Sequence, residues 1–273
     1  MIKVNKKEIK IEEFPDGTPR IKLDYHQYEN TLVFVIEWCY ETDAELLYVG
    51  MIKKHLEKYF SDSVYYLKLP YIPNARMDRT RNDDEVFTLK YFCDFINQLR
   101  FNRVYVTDAH SNVSAALLDR CYNKDPFSYI FDAIHRIGKV DVLYYPDAGA
   151  AKRYAGLFGN NIPYCYGEKK RDWNTGNIIE LEIKTNGIEL NGKIVLMVDD
   201  IISYGGSLHY SAAELKKCGV GEIYAYATHV ENSVLNEDKG TLINDLNDGT
   251  VLQLFTTDSI YKGDHPKITA IKI

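Results

Sequence analysis

Short apolar runs alternate along the chain with longer amphipathic stretches. Six runs are typical of buried strands: residues 32–37, 64–69, 104–108, 143–145, 195–198 and 223–228. The spacing of apolar residues predicts helices over residues 43–60 and 85–99, and a third helix that follows residue 207 and stops at Gly219. Strands that alternate with helices predict an α/β fold with mainly parallel sheets.

Each of the two long helices is expected to bury one apolar side. In the first helix this side consists of Leu46, Leu47, Met51 and Leu56. In the second helix it consists of Val86, Phe87, Leu89, Phe92, Phe95, Ile96 and Leu99.

The two ends of the chain alternate apolar with polar residues instead. Residues 2–11 and 19–23 alternate on either side of the turn signal Phe14-Pro15-Asp16-Gly17, which predicts a hairpin. Residues 249–273 alternate again and should close the edge of a sheet.

Composition narrows the class of protein. The chain has 273 residues, 45% of them hydrophobic, which is enough for a sizeable core. A net charge of -6 argues against a nucleic-acid partner, because such proteins carry basic surfaces. The five cysteines form no Cys-x-x-Cys pair, and no apolar span approaches twenty residues. We therefore expect a cytoplasmic protein with reduced thiols that does not enter a membrane.

The stretch from residue 195 to residue 208 carries the most specific chemistry. A buried strand ends at Asp199 and Asp200, whose carboxylates could hold two neighbouring hydroxyl groups. Gly205, Gly206 and Ser207 follow and open a helix, and a helix N-terminus with a glycine-rich loop binds anions. This order of residues indicates a site for a phosphorylated sugar.

The motif Asp-Asp-Ile-Ile-x-x-Gly-Gly resembles the corresponding motif of ribose-phosphate pyrophosphokinases, which have the type I phosphoribosyltransferase fold. The resemblance implies two similar phosphoribosyltransferase-like domains, each a mainly parallel sheet flanked by helices. We place the boundary in the polar stretch around Pro126, which gives domains 1–126, with the ATP-side loops, and 127–273, with the ribose-phosphate and catalytic loops. It also implies a substrate-binding set: Asp199, Asp200, Ser203, Tyr204, Gly205, Gly206 and Ser207.

Two motifs in the first half resemble the family's ATP-binding segments. Residues 70–79 match Pro-Tyr-x-x-x-Ala-Arg-x-Asp-Arg, which assigns ATP binding to Arg76 and Asp78. Phe14 and Asp16 resemble the loop that holds adenine, often on a neighbouring subunit, although Thr18 stands where the family usually has Glu.

Three further motifs imply metal and catalytic residues. His110 lies in a segment similar to Asp-Leu-His-Ala, and Asp147 in one similar to Ser-Pro-Asp-x-Gly-Gly, so both are candidate magnesium ligands. Lys169 and Arg171 match the Lys-Arg-Arg that opens a mobile loop, and the resemblance gives them the catalytic role. Residues 172–176 are polar enough to form its flexible tether.

The reaction implied is magnesium-dependent transfer of the pyrophosphoryl group of ATP to the C1 hydroxyl of ribose 5-phosphate. The family generally has Thr where this chain has Tyr204, whose ring could stack on a base. An alternative acceptor is therefore ADP-ribose, as in virus-encoded relatives that make ADP-ribose pyrophosphate for NAD synthesis. A phosphoribosyltransferase that consumes phosphoribosyl pyrophosphate and an inactive regulatory homologue also remain open. A homo-oligomer, a dimer or a hexamer, is expected.

Overall fold

The computed structural model describes residues 1–159, 161–171 and 178–273, with the backbone alone for residues 169–171 and 178–180. Internal contacts divide the chain into two compact units, Met1–Asp125 and Pro126–Ile273. The division lies at the polar stretch that ends in Pro126. Each unit contains its own sheet and its own buried cluster of apolar side chains.

The first unit is built on a six-stranded sheet of order β2-β1-β5-β6-β7-β8. The strands are β1 Ile2–Val4, β2 Lys7–Glu8, β5 Val33–Trp38, β6 Val64–Lys68, β7 Arg103–Thr107 and β8 Cys121–Lys124. The helices are α1 Glu45–Tyr59, α2 Thr88–Gln98 and α3 Asn112–Leu117. Strands β5 to β8 run parallel, whereas β1 is antiparallel to both of its neighbours.

The beginning of the chain forms two hairpins, where the alternation predicted one. Residues 2–11 do not continue as one strand, because Asn5 and Lys6 have positive φ values of 47° and 70° and turn the chain between β1 and β2. A second hairpin, β3 Ile11–Glu13 with β4 Pro19–Ile21, surrounds the predicted turn and forms a separate two-stranded sheet.

The predicted buried side of α1 is wrong in part. Leu47 and Met51 are 61% and 49% exposed. The buried positions of α1 are Glu45, Val49, Ile52, Lys53 and Leu56. Two of them are charged, so counting apolar residues alone rotated the predicted face. The same error occurs in α2, where Val86, before the helix, and Phe95 are exposed.

Glu45 is a buried carboxylate held by several donors. It is 7% exposed and accepts hydrogen bonds from Trp38 Nε1 at 2.8 Å and the Glu41 amide at 2.7 Å. Burial opposes its ionisation, but a hydrogen bond from the N-terminal ammonium of Met1 at 2.6 Å, together with those from Trp38 and the Glu41 amide, outweighs burial and lowers its pKa below the ordinary value of 4.5. This stabilisation is therefore present above pH 4.5 and is lost as the pH falls through the folded-state pKa.

Replacing Glu45 by alanine should lower the free energy of unfolding by about 2–4 kcal/mol, because buried donors lose their acceptor. Denaturant unfolding at pH 7 measures the change. Glu8→Ala, at an exposed position of β2, is the matched control and should change stability by less than about 0.5 kcal/mol. Equal stability of the two variants would show that Trp38 and the Glu41 amide find other partners.

The second unit is built on a seven-stranded sheet of order β11-β10-β9-β12-β13-β14-β15. The strands are β9 Val142–Tyr145, β10 Tyr164–Arg171, β11 Ile178–Lys184, β12 Ile194–Ile202, β13 Glu222–Val230, β14 Leu254–Thr257 and β15 Ile268–Ile271. The helices are α4 Phe127–Ile137, α5 Ala148–Phe158, α6 Gly206–Lys217 and α7 Leu242–Asp248. Apart from β10–β11 the pairings are parallel, which confirms the predicted α/β class.

Three elements of this unit differ from the predicted pattern. Helix α5 begins directly after Asp147, where we predicted a loop. Strand β10 includes Lys169 and Arg171, which we placed at the opening of a loop. Helix α7 was not predicted. None of the helices within the described ranges is long and apolar enough to cross a membrane.

Candidate functional site

An open cleft of about 400 Å³ lies at the C-terminal end of β12 in the second unit. Its lining consists of Asp199, Ile201, Ile202, Ser203, Tyr204, Gly205, Gly206, Ser207 and Leu208. The structure thus brings together most of the predicted substrate-binding set. Ligands of open α/β sheets bind at this carboxyl end of the strands.

The chain reverses at Gly205, which is the N-cap of α6 and has a φ of +88°. An added Cβ there would overlap the Cβ of Leu242, so both the backbone angle and the close approach of α7 require glycine. Beyond this turn the first amides of α6 lack partners within the helix. Such amides, at the positive end of the helix dipole, suit a phosphate.

The carbonyl of Tyr204 is held by the start of α7. It accepts hydrogen bonds from the Thr241 amide at 2.9 Å and from Thr241 Oγ1 at 3.2 Å. Tyr204 is 40% exposed and belongs to the lining of the cleft. Ser203 lies beside it, with its Oγ 3.1 Å from Ser233 Oγ.

The two neighbouring acids have different surroundings. Asp199 is half-buried, lines the cleft, and accepts a hydrogen bond from the Asp200 amide at 2.9 Å. Asp200 is 4% exposed, and its carboxylate lies 3.4 Å from Nη1 of Arg153. Asp199 therefore faces the cleft, and Asp200 is ion-paired with α5.

Sequence reasoning missed Arg153. Its guanidinium lies over the ring of Tyr154, 5.4 Å from the ring centre, and reaches Asp200 from the middle of α5. A helix predicted for the Ala-rich stretch after Asp147 would have pointed to Arg153. Asp147 caps that helix at the carboxyl end of β9, and Arg153 lies on the same helix.

Asp147 lies directly after β9, the parallel neighbour of β12, so it is at the same carboxyl end of the sheet as Asp199. It is exposed and serves as the N-cap of α5, with Oδ1 accepting from the Ala150 amide at 2.9 Å. Lys169 and Arg171 lie on β10, the other neighbour of β9, opposite Leu181 and Ile178 of β11. Their side chains, and residues 172–176, lie outside the described residues.

The predicted residues of the first unit lie in three places. Arg76 is exposed and Asp78 half-buried in the segment after β6, and half-buried His110 follows β7. Because β6 and β7 are parallel neighbours, both segments lie at the carboxyl end of the first unit's sheet. Phe14 and Asp16 lie instead on the β3–β4 turn.

Asp16 has a clear local role within that turn. Its Oδ1 accepts hydrogen bonds from Thr18 Oγ1 at 2.7 Å and from the Thr18 amide at 3.0 Å, and these bonds lower its pKa. Phe14 is 50% exposed. The turn thus presents an aromatic ring beside a fixed carboxylate.

Comparison with known proteins agrees with the geometry of the second unit. Residues 148–246 match the phosphoribosyl transferase domain family. The ribose-phosphate pyrophosphokinase of Thermococcus kodakarensis is 29% identical, with 81% of this chain and 77% of that protein covered. That of Saccharolobus solfataricus is 27% identical, with 80% and 74% covered. The chain is thus similar to ribose-phosphate pyrophosphokinases over most of its length. This confirms the resemblance derived from the motifs.

A solved structure extends the likeness to nearly the whole chain. Phosphoribosylpyrophosphate synthetase from Mycobacterium smegmatis superposes with a TM-score of 0.72, at 16% identity, covering 97% of this chain and 86% of that one. Such a likeness shows the fold, and it confirms the predicted phosphoribosyltransferase architecture.

Proposed function

We propose that this chain transfers the β,γ-pyrophosphoryl group of ATP to the C1 hydroxyl of ribose 5-phosphate, giving phosphoribosyl pyrophosphate and AMP. The observation that carries the proposal is the cleft at the end of β12, where Asp199 stands beside the phosphate-binding turn at Gly205. The names of the relatives support the same reaction. The 5-phosphate binds at the start of α6, and Asp199 accepts a hydrogen bond from a ribose hydroxyl.

The reaction asks the protein for positioning and for neutralisation of charge. The C1 oxygen attacks the β-phosphorus, the bond from that phosphorus to the oxygen bridging the α- and β-phosphates breaks, and AMP leaves with that oxygen. The attacking oxygen belongs to the sugar, so no protein nucleophile is required. In this proposal Lys169 and Arg171 stabilise the transferring group, and Asp200, held by Arg153, fixes the end of β12.

Magnesium is the proposed metal. Among residues 1–159, 161–171 and 178–273 there is no group of three or more His, Cys, Asp or Glu that could hold a metal. A single carboxylate is enough for Mg²⁺, which usually binds through one or two carboxylates, water and substrate phosphates. Asp147, at the start of α5, and His110, after β7, are each proposed as a contact of magnesium within their own unit. When bound, the ion neutralises charge on the ATP phosphates.

ATP is proposed to bind through the first unit. Arg76 and Asp78 follow β6 at a sheet edge, and an exposed arginine can pair with phosphate oxygens. Phe14 offers an exposed ring to adenine and Asp16 a carboxylate, with both supplied by a neighbouring subunit in the proposed homo-oligomer.

The direct test is AMP release from ATP and Mg²⁺ with ribose 5-phosphate as acceptor, with and without EDTA. We expect turnover that EDTA abolishes and that Asp199→Asn strongly reduces. Tight ATP binding with no AMP released from any acceptor would contradict the proposal and favour a regulatory homologue.

One observation favours ADP-ribose as a second candidate acceptor. Tyr204 is 40% exposed and lines the cleft beside the phosphate turn, where a group attached to the 5-phosphate would emerge. A tyrosine can stack on a purine base, and stacking of this kind contributes about 1–3 kcal/mol per base. The product would be ADP-ribose pyrophosphate.

Replacing Tyr204 by alanine separates the two acceptors. If ADP-ribose is the substrate, Tyr204→Ala should increase the KM for ADP-ribose, because a stacking contact is lost. This increase should be about tenfold larger than the increase in the KM for ribose 5-phosphate. Initial rates with each acceptor at equal concentrations provide the comparison. Tyr210→Ala, an exposed tyrosine of α6, is the matched control. If wild-type protein turns over ribose 5-phosphate but not ADP-ribose, ADP-ribose is excluded as the acceptor.

A further inference from the structure

Helix α7 contacts the phosphate-binding turn at three points. Thr241, its N-cap, donates two hydrogen bonds to the Tyr204 carbonyl. Leu242 packs against Gly205 so closely that no side chain fits at Gly205. One turn further along, Asp245 holds His209 in the first turn of α6. The turn therefore has a support behind it, formed by residues that do not line the cleft.

The pair of His209 and Asp245 combines a buried acid with a half-buried base. Both carboxylate oxygens of Asp245 lie 2.9 Å from Nδ1 of His209. Asp245 is 5% exposed, and burial raises its pKa, while the hydrogen bond from His209 acts in the opposite direction. A proton on Nδ1 thus compensates a carboxylate that would otherwise be costly to bury ionised.

The position of the carboxylate gives the pair a consequence for binding. Asp245 packs beside the first turn of α6, the end whose dipole favours anions. A negative charge that has lost its partner there would repel a phosphate at the same helix end. The other described charges on these two helices lie toward their C-terminal ends: Glu214, Lys216 and Lys217 in α6, and Asp248 at the end of α7. Asp248 adds to burial in raising the pKa of Asp245.

We propose that His209 and Asp245 are positioning residues of the sugar-phosphate site, with His209 neutralising Asp245 so that the α6 N-terminus accepts a phosphate. The inference rests on the proposed function in taking the 5-phosphate to bind at α6. It predicts an asymmetry: loss of the base leaves a negative charge behind the site, whereas loss of the acid leaves none.

The experiment compares His209→Gln, Asp245→Asn and the double variant with wild type at pH 6, where an ordinary imidazole is mostly protonated, with Asp248→Asn as the control for charge removal on α7. Calorimetry measures the Kd of inorganic phosphate and of ribose 5-phosphate without ATP. His209→Gln should weaken both about tenfold, and Asp245→Asn and the double variant should stay within about threefold of wild type. In turnover the KM for ribose 5-phosphate should follow the Kd, and the KM for ATP should not change.

A merely structural role makes a different prediction. The three variants would then lose affinity equally, or lose thermal stability without any difference in Kd, and either result would overturn the proposal. If His209→Gln does not fold, His209→Lys takes its place. It keeps a positive charge, so it should bind phosphate within about threefold of wild type, and a tenfold loss would contradict us. Phosphate binding needs no turnover, so the asymmetry can hold even if the proposed reaction is wrong.

Discussion

Lys169→Ala should lower kcat/KM for pyrophosphoryl transfer about a thousandfold, since a cation that stabilises a transferring phosphoryl group commonly contributes a factor of this size. The KM for ribose 5-phosphate should change little, because the proposed function places the sugar phosphate at β12 and α6. Steady-state rates of AMP formation at varied ribose 5-phosphate give both parameters.

The same stretch supplies a control for the removal of positive charge. Lys170 lies between the two proposed catalytic residues on β10, opposite Glu180. Lys170→Ala should retain at least about a third of wild-type kcat/KM, because the proposal gives Lys170 no part in the transfer. Equal losses in Lys169→Ala and Lys170→Ala would mean that the cluster attracts substrate through its total charge, and the specific assignment to Lys169 and Arg171 would be withdrawn.

Gly205→Ala should reduce kcat/KM for the sugar phosphate at least about a hundredfold, because the backbone amides proposed to meet the phosphate would be displaced. Alanine is strained at a φ of +88°, and its Cβ would overlap Leu242. The turn would have to move away from α7 and take the start of α6 with it. Kd measurements with ribose 5-phosphate and thermal unfolding distinguish lost binding from lost folding.

Gly156→Ala is the matched control for Gly205. Gly156 lies within α5, and an added Cβ there meets no atom within 4 Å. Alanine in a helix is favoured over glycine, so this variant should be active and slightly more stable than wild type, by about 0.5–1 kcal/mol. Wild-type affinity for ribose 5-phosphate in Gly205→Ala would place the phosphate elsewhere and remove the basis of the proposed site.

The order of strands, acids and glycines in the sequence was sufficient to predict the parallel sheets and the cleft at β12. Which of the two carboxylates faces the cleft and which is ion-paired was not predictable. Asp199 and Asp200 are adjacent in sequence, and the packing of α5 is what brings Arg153 to Asp200. Helix α7 has seven residues, and a helix that short depends on tertiary contacts such as Leu242 against Gly205. The buried face of α1 was misjudged because Glu45 and Lys53 have partners in the core.

The N-cap at Asp147 links the start of α5 to any metal bound there. One carboxylate oxygen is committed to the Ala150 amide, so an ion that approaches without disturbing the helix must use the other oxygen alone. Asn caps a helix about as well as Asp does, whereas Ala caps poorly. Asp147→Asn therefore removes the charge and keeps the helix start, while Asp147→Ala frays it as well. Activity lost in the alanine variant but kept in the asparagine variant would belong to the helix rather than to the metal.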